Sequence, residues 1–376
     1  MRASHHSTER IRRRQGVLQD SILSSTIPWV NGLKGRLQFA PRVIRRRVGT
    51  PVGKRRKRKG RLIQLLECLP VCILLLLVRL VPLSAGPWIS EHLGEILFGL
   101  MPKRRSIALE NLRGAFPYSM GMDHMRMARR SFSAFVLTCF ESLKFWQALK
   151  NRSAFARLVN VLGGLSEVLQ GARRIHEEVK GCIFVTPHLG NWEILAHVSS
   201  IVGIPAVVVV RPLDNDFLEK LIYRKRSESR QIIIPKKNAL FTLTMSLRQG
   251  KSVALLPDQG TGRGIPVPFF GREAFTSPVP AMLAVRYHRP IVVVACCRSH
   301  DARRFEGVVS GPIWPGEHVS EKEEIRRLTG RMNLEMEAII RRYPEQYLWM
   351  HDRWKKYKRR RKLLTGDGVE VRAPIV

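Results

Sequence analysis

His188 and Glu193 are the two side chains of this sequence best suited to acid–base chemistry. They stand five residues apart in His188-Leu-Gly-Asn-Trp-Glu193, directly after the apolar run 182–187. That run predicts a buried β-strand, Gly190 permits a sharp turn, and Asn191 is a good N-cap for the helical pattern that follows. Glu193 would then lie in the first helical turn and orient the His188 imidazole, which could take a proton from a hydroxyl group. The free N–H groups at the helix start could also hold an oxyanion or a phosphate.

Two later strand patterns also end in polar residues. Arg211 follows the run 207–210, and Asp258-Gln259 follows the run 252–256 and precedes a glycine-rich loop. The carboxyl ends of parallel strands form the site edge of an open α/β sheet, so we expect these residues near His188. An arginine there can bind a phosphate through two hydrogen bonds, although a solvated arginine after a strand is the alternative. The loop lacks the spacing of a nucleotide-binding P-loop.

The elements that must position these side chains alternate between strand and helix. Apolar runs rich in Val and Ile, separated by helical patterns, occur at 182–186, 206–210, 232–234, 252–256 and 290–297. Such runs predict an α/β fold with a mostly parallel sheet flanked by helices on both faces. Residues 90–180 read as mostly helical, with a break at 111–117.

The most apolar segment of the chain, 62–89, predicts a helix that associates with a membrane. Gln64, Glu67, Pro70, Arg79 and Pro82 interrupt it, and its uninterrupted apolar run of ten residues is short of the ~20 expected for a clean span. A shallow, re-entrant or interfacial helix would keep both flanks on the cytoplasmic face. A basic flank on either side leaves the orientation open.

The charge of the chain is strongly positive and concentrated at its ends. Of a net charge of +35 over 376 residues, residues 1–60 contribute +15 and residues 355–376 contribute +6. The remaining +14 favours an anionic partner, either a membrane surface or nucleic acid. We therefore expect a basic arm at 1–60, a membrane-associated segment at 61–89, a catalytic domain at 90–356 and a basic tail at 357–376. The six cysteines form no metal-ligand spacing and read as reduced thiols.

Two further stretches have two possible roles each. Residues 266–271, with 281–284 downstream, offer an apolar wall for a hydrocarbon chain or else buried core. Residues 349–355 mix aromatic and basic side chains, which fits an edge at the membrane interface. Within that stretch we expect His351-Asp352 to be structural.

Five motifs taken together resemble the late acyltransferases of lipid A biosynthesis. They are His-Leu-Gly-Asn-Trp-Glu at 188–193, Arg-Pro-Leu-Asp-Asn at 211–215, Leu-Pro-Asp-Gln at 256–259, Pro-Phe-Phe-Gly at 268–271 and the run 345–355. The resemblance extends in order from about residue 62 to residue 356. The family's His-x4-Asp/Glu pair maps onto His188 and Glu193, and Arg211 matches the phosphate-binding arginine of related glycerolipid enzymes. Asp258-Gln259 replaces their Glu-Gly-Thr-Arg block, which argues against a glycerol-phosphate acceptor.

The resemblance implies transfer of a fatty acyl group from an acyl-carrier-protein thioester to a hydroxyl of a phosphorylated glycolipid, a lipid A precursor. It implies His188 as general base, Glu193 as its orienting carboxylate, and substrate contacts from Asn191, Arg211, Asp258 and Gln259. No cofactor and no metal is implied. The partners would be the carrier protein, an anionic glycolipid and membrane lipid, at the cytoplasmic face of a bacterial inner membrane.

Three alternative functions compete with this one. The same chemistry could act on a glycerophospholipid, a mannosylated lipid or an aminolipid. The basic arms could instead bind nucleic acid, but the sequence contains no recognisable DNA- or RNA-binding fold. A serine hydrolase would need a Gly-x-Ser-x-Gly turn, which is absent from the sequence.

Overall fold

The computed structural model describes residues 60–117, 123–148, 163–201, 203–204, 206–210, 215–221, 232–235, 239–261, 263–299, 304–317 and 320–355. All of them belong to one unit that begins at Arg58. The predicted basic tail at 357–376, and the predicted basic arm up to residue 59, lie outside the described residues.

The described helices are α1 (Arg61–Leu80), α2 (Gly86–Leu100), α3 (Pro102–Ala115), α4 (His124–Ala148), α5 (Ser166–Val179), α6 (Trp192–Ile201), α7 (Ala239–Arg248), α8 (Val279–Tyr287) and α9 (Glu321–Arg342). The described strands are β1 (Ile183–Val185), β2 (Val207–Val210), β3 (Ile232–Pro235), β4 (Val253–Leu255), β5 (Ile265–Phe269), β6 (Arg272–Thr276), β7 (Ile291–Arg298) and β8 (Phe305–Val309).

Six strands form one sheet in the order β3-β2-β4-β1-β7-β8. The first five are parallel, with Phe184 of β1 in register with Ala254 of β4 and Val292 of β7. These strands confirm the five predicted runs and the mostly parallel sheet. β8 adds an antiparallel edge to β7, and β5 pairs with β6 in a separate hairpin.

Alternation along the strands divides the side chains between two faces of the sheet. Ile183, Val185 and Val253 pack into the main core with residues of α7, α8 and α9. Phe184 and Ala254 point to the opposite face, which α5 and α6 cover. The sheet is therefore enclosed by helices on both faces, as its uninterrupted apolar strands predict.

The helical region before the sheet is packed through small residues. Gly94 of α2 crosses α4 so closely that a Cβ at Gly94 would lie 2.6 Å from the Cα of Ser133. The predicted break at 111–117 begins later than expected, because α3 continues to Ala115. Asn111 explains the difference: its buried side chain donates to the carbonyls of Trp349 and His351, so it binds the C-terminal segment from within the helix.

Among the described residues, α1 is the one helix whose length and composition would let it cross a membrane. The polar residues that interrupt the apolar segment do not interrupt the helix, which runs for 20 residues from Arg61 to Leu80. Most of its leucines are exposed on the protein surface, including Leu62, Leu66 and Leu80.

Candidate active site

The loop between β1 and α6 carries His188 and has a conformation that requires glycine. Gly190 has a φ of +58°, and a Cβ there would lie 2.1 Å from the carbonyl oxygen of Cys296 on β7. Asn191 donates its backbone N–H to the same carbonyl over 2.8 Å, and its Oδ1 accepts the N–H of Ile194 over 3.2 Å. The predicted glycine turn and asparagine N-cap are confirmed.

A C-terminal segment holds the other side of this loop. Gly190 donates its N–H to the carbonyl of Gln346 over 3.1 Å, and Leu348 donates to the carbonyl of His188 over 3.0 Å. Leu189 and Tyr347 form an antiparallel bridge between these two contacts. The loop is thereby clamped between β7 and residues 346–348, which fixes the position of His188.

The backbone N–H groups of the loop are used within the protein. His188 donates to Asp258 over 2.8 Å, and Leu189 donates to the carbonyl of Pro187 over 2.8 Å. Those of Gly190 and Asn191 donate to Gln346 and Cys296, as described above. These four groups, which precede α6, therefore do not contribute to an anion site, and the anion site expected at the start of the helix stays a prediction.

His188 is bonded to Asp258 through its ring as well as its backbone. Nδ1 of His188 lies 2.7 Å from Oδ1 of Asp258, and the two side chains are 16% and 2% exposed. Burial opposes ionisation of Asp258, but the charge and hydrogen bonds of His188, together with Arg353, hold the pKa of this carboxyl below its usual value. Because a carboxylate only accepts, the Nδ1 proton points to Asp258, and in the neutral ring Nε2 carries the lone pair that can act as a base.

Gln259 covers that lone pair. Its amide nitrogen lies 3.1 Å from Nε2 of His188, while its side chain is exposed to solvent. The Trp192 ring packs edge-on against the imidazole, with 5.1 Å between the ring centroids. His188 thus has a fixed ring plane and one nitrogen directed toward an accessible polar side chain.

Glu193 lies in the first turn of α6, as predicted. Its half-buried side chain and His188 line the same cavity. The carboxylate hydrogen-bonded to Nδ1 of His188 is Asp258, whereas we predicted Glu193 for that role. The orienting role of Glu193 therefore remains a prediction.

Asn191 has its side chain turned into the protein. The residue is fully buried, its amide donates to Glu141 over 2.8 Å, and its Oδ1 caps α6. Glu141 in turn binds Arg298 at the end of β7, with 2.7 Å between Oε1 and Nε. We predicted a substrate contact for Asn191, but the contacts described here join the loop to α4 and β7.

We expected the stretch 349–355 to form an edge at the membrane interface, but its two tryptophans and Arg353 are buried in the protein. Trp349, Arg353 and Trp354 are 0%, 2% and 1% exposed. His351 accepts the N–H of Gly260 through Nε2 over 3.2 Å and lines the cavity beside His188. The segment mixes aromatic and polar residues because its tryptophans pack in the core while His351 reaches the cavity.

Tyr347 and His351 are the residues at the site that sequence reasoning missed or treated as structural. Burial, followed by the charge of Asp258, raises the pKa of Tyr347 well above its usual value, so the phenol stays neutral. Burial also lowers the pKa of His351, against the opposing charge of Asp258. The only signal in the sequence was the density of His, Tyr, Trp and Arg between residues 343 and 354.

A cavity of about 1150 Å³ opens at His188 and has mostly apolar walls. Consecutive residues of β2, Val208 to Val210, border it, and consecutive strand residues point to opposite faces. The cavity therefore reaches around the carboxyl edge of the sheet, with one arm on each face.

The α6 arm lies between the sheet and helices α5 and α6. One face of α6 lines it at helical spacing, with Trp192, Leu195, Ala196 and Ser199. Its other walls are mostly buried and apolar: Leu169, Ala172, Phe184, Ile204, Ala206, Val208 and Ala254. Ala254 remains partly accessible although β4 is a central strand, so its small side chain leaves space beside the sheet.

The α7 arm lies on the opposite face, between β2, β4, α7 and α8. Leu240, Leu243, Leu255 and Met282 line it. Leu240 and Met282 are 46% and 38% exposed, and Phe241 beside them is 72% exposed. This arm is open to an apolar protein surface. In contrast, Phe269 and Phe270 of the predicted hydrocarbon wall are buried core residues of the β5–β6 turn.

Two further predictions concern anion and metal binding. Arg211 lies outside the described residues, while Arg263 in the glycine-rich loop is exposed and lines the cavity. No three His, Cys, Asp or Glu side chains form a metal-binding group within the described part of the chain.

Comparison with known proteins identifies sequences similar to this chain. The model of the family described as bacterial lipid A biosynthesis acyltransferase matches residues 55–356. The lipid A biosynthesis palmitoleoyltransferase of Escherichia coli (strain K12) is 26% identical over 273 residues, covering 71% of this chain and 84% of that protein. The lauroyltransferase of the same organism is 25% identical over 266 residues, covering 70% and 83%. A lipid A biosynthesis acyltransferase of Haemophilus influenzae is 24% identical over 286 residues, covering 73% and 83%.

Proposed function

Because the chain belongs to the bacterial lipid A biosynthesis acyltransferase family, we propose that it transfers a fatty acyl chain from an acyl-carrier-protein thioester to a hydroxyl group of a phosphorylated lipid A precursor. The observation that carries the proposal is the His188–Asp258 pair at the mouth of a two-armed apolar cavity. It combines a base for a hydroxyl group with space for hydrocarbon.

In the proposed reaction, the acceptor hydroxyl attacks the thioester carbonyl carbon while Nε2 of His188 takes its proton. The tetrahedral intermediate then collapses, the carbon–sulfur bond breaks, and the imidazolium returns the proton to the leaving thiolate. The products are the ester and the carrier thiol. Asp258 holds Nδ1 and stabilises the imidazolium, since charge-assisted hydrogen bonds are about twice as strong as neutral ones. Glu193 supplies a second negative charge at the cavity mouth.

Gln259 occupies the place that the acceptor hydroxyl needs, because its amide lies 3.1 Å from Nε2 of His188. We propose that substrate displaces this amide, which then donates to the carbonyl oxygen as negative charge develops there. An amide donor positioned in this way contributes about 10²–10³-fold to kcat in other acyl-transfer sites.

The two arms suit two different hydrocarbon chains. A donor chain carried by a soluble protein must leave water, which suits the α6 arm with its mostly buried apolar walls. An acceptor lipid keeps its remaining chains in the bilayer, which suits the α7 arm with its open apolar edge at Leu240, Phe241 and Met282. Arg263, which lines the cavity, and Arg211 are proposed to hold acceptor phosphates.

The charge of the chain fits these partners. The excess of +14 between residues 61 and 354 attracts an acidic carrier protein and an anionic lipid surface. We place the enzyme at the inner membrane of a bacterium with its catalytic domain on the cytoplasmic face, where acyl thioesters are available.

An acceptor panel tests the proposed substrate class. Detergent-solubilised protein would be supplied with radiolabelled acyl-carrier-protein thioesters and, separately, with a tetra-acylated lipid A precursor, a lysoglycerophospholipid, a mannosylated lipid or an aminolipid. We expect label to appear only in the lipid A precursor. Transfer to another lipid and not to this precursor would show that the acceptor is wrong while the chemistry is right.

A further inference from the structure

Helix α1 is attached to the rest of the protein at its first turns. Gln64 is 4% exposed in a helix whose leucines are mostly exposed. The Gln64 side-chain oxygen accepts the N–H of Asp216 over 2.9 Å. The side-chain amide of Asn215 donates to the backbone carbonyl of Gln64 over 2.8 Å. Asn215 also donates to the carboxylate of Glu67 over 3.1 Å. The two polar residues that interrupt the apolar sequence are thus the residues that hold this end of the helix.

The same helix is attached again at its last turn. Val78 is buried in a small cluster with Leu137 and Phe140 of α4, and Lys144 of α4 donates to the carbonyl of Arg79 over 3.2 Å. With a rise of 1.5 Å per residue, Gln64 and Val78 lie about 21 Å apart along the helix axis. Helix α1 therefore follows the surface of the protein over most of its length.

The opposite face of α1 forms a continuous apolar stripe, which we call the outward stripe. Its members recur every three or four residues and are 49–79% exposed: Leu62, Leu66, Leu69, Ile73, Leu76 and Leu80. An exposed row of this length on a soluble surface marks an interaction site. The exposed arginines Arg61 and Arg79 stand at its two ends.

We propose that α1 lies in the plane of the membrane, with the outward stripe inserted into one leaflet, and does not cross the bilayer. A crossing helix would need its two attachments to lie near opposite faces of a hydrocarbon layer about 30 Å thick, with the same domain reaching both. An in-plane helix keeps Gln64, Glu67 and Val78 on the protein and places both arginines at the level of the lipid headgroups. The partner is a lipid surface with anionic headgroups.

This placement also brings the membrane close to the cavity. The segment 215–221, which Gln64 and Glu67 hold, includes Glu219, and Glu219 lines the cavity. A leaflet in contact with α1 therefore adjoins the proposed route of the acceptor lipid. The inference rests on the membrane association proposed above, but not on the acyl-transfer reaction.

Spin-label depth measurements test the orientation directly. Cys68, Cys72 and Cys139 would be replaced by serine, and single labels introduced by Leu62→Cys, Leu69→Cys, Leu76→Cys and Leu80→Cys in the full chain. The protein would be bound to phosphatidylethanolamine–phosphatidylglycerol vesicles, and oxygen and nickel-chelate accessibility would give each depth. Leu334→Cys on α9, 51% exposed, serves as the reference in water.

We expect all four labels on the outward stripe at one shallow depth, about 5–10 Å below the headgroup boundary. A profile that is deepest at residues 69 and 76 and returns to water at 62 and 80 would overturn the proposal in favour of a crossing helix. Equal exposure to water at all four positions would overturn it as well. Depth is measured without catalysis. The orientation of α1 can therefore be wrong while the proposed reaction is right, and the reaction can be wrong while the orientation is right.

Vesicle flotation gives a second test that does not depend on labels. The double variant Leu69→Glu/Leu76→Glu places two charges on the outward stripe, and Leu334→Glu places one on an equally exposed leucine of α9. We expect the double variant to lose at least about tenfold in vesicle binding with an unchanged circular dichroism spectrum, and Leu334→Glu to bind normally. Unchanged binding of the double variant would contradict the proposal.

Discussion

Asp258 binds His188 twice, through the ring Nδ1 at 2.7 Å and through the backbone N–H at 2.8 Å. The two residues are 70 positions apart in the chain and meet because β1 and β4 are neighbours in the sheet. The carboxylate fixes both the position of the loop and the plane of the ring. The proposed base is therefore oriented before substrate arrives.

Replacing each carboxylate in turn identifies the one that orients the base. We expect Asp258→Asn to lower kcat about 10²-fold or more, because the imidazolium loses its charged partner. Glu193→Gln should lower kcat less, since the hydrogen bond between Asp258 and Nδ1 of His188 remains. Steady-state kinetics across pH would measure both; the opposite order of losses would assign the orienting role to Glu193, as first predicted.

Removing the Gln259 amide tests its proposed contact with the reacting carbonyl. Gln259→Ala should lower kcat by about 10²–10³-fold and change the KM for the thioester little, because the amide acts in the transition state. If the amide only covers His188, the same variant should be as active as wild type or faster.

Narrowing the α6 arm should change the preferred acyl chain. Ala254 and Val208 occupy one level of the sheet, and Ala206 precedes Val208 by two residues, about 7 Å farther from His188. We expect the longest acyl chain accepted by Ala254→Leu to be shorter than the longest accepted by Ala206→Leu, because the larger side chain at 254 blocks the arm nearer to His188. Competition between donors of different length, read by product mass, measures the shift. Equal chain preference in both variants and wild type would mean that the donor chain binds elsewhere.

The backbone at Gly190 should tolerate no side chain. Gly190→Ala introduces a Cβ 2.1 Å from the carbonyl of Cys296 at a φ of +58°, so we expect a loss of at least about 2 kcal/mol in the free energy of unfolding. Gly171→Ala is the matched control, because a Cβ at Gly171 meets nothing within 4 Å. It should instead stabilise α5 by roughly 0.5–1 kcal/mol. Equal melting temperatures for the two variants would contradict the geometry of the turn.

Acid should loosen the segment that carries His351. Burial lowers the pKa of His351 below 6.5, so the unfolded chain binds this proton more readily than the folded one. Stability from this group is therefore complete above pH 6.5 and is lost as the pH falls through the lower folded pKa. Protonation would also remove the acceptor for the N–H of Gly260. Thermal melts from pH 5 to 8 should show a shallower acid loss in His351→Gln than in wild type or in the exposed control His288→Gln; an unchanged slope would contradict this.

The sequence predicted the parallel strands well because each is a short apolar run that contains Val or Ile. It did not predict the β5–β6 hairpin, since Pro266 and Pro268 discourage a strand assignment and are tolerated only at an unpaired edge. The glycine turn and its cap followed from local rules. These features depend on neighbours in the chain, which a sequence displays directly.

The contacts of the site depended on distant neighbours and were harder to predict. Asp258 was expected near His188 but not as its hydrogen-bond partner, because the sequences of β1 and β4 do not show that these two strands are neighbours in the sheet. Tyr347 and His351 reach the site from a segment that follows the last strand and pairs with the His188 loop. The polar residues Gln64 and Glu67 interrupt the apolar sequence of the helix, and their role became clear only from the contact of the Gln64 side chain with Asp216 and that of Glu67 with Asn215.

The most direct test of the account is the mass of the lipid formed from a tetra-acylated, Kdo-bearing lipid A precursor and an acyl-carrier-protein thioester. Wild-type protein should add one acyl chain, and His188→Ala, folded by circular dichroism, should lower the rate of addition by about 10²–10⁴-fold. Addition at the wild-type rate by His188→Ala would contradict the assignment of the base. Failure of the wild-type protein to acylate this precursor with any thioester would contradict the proposed reaction.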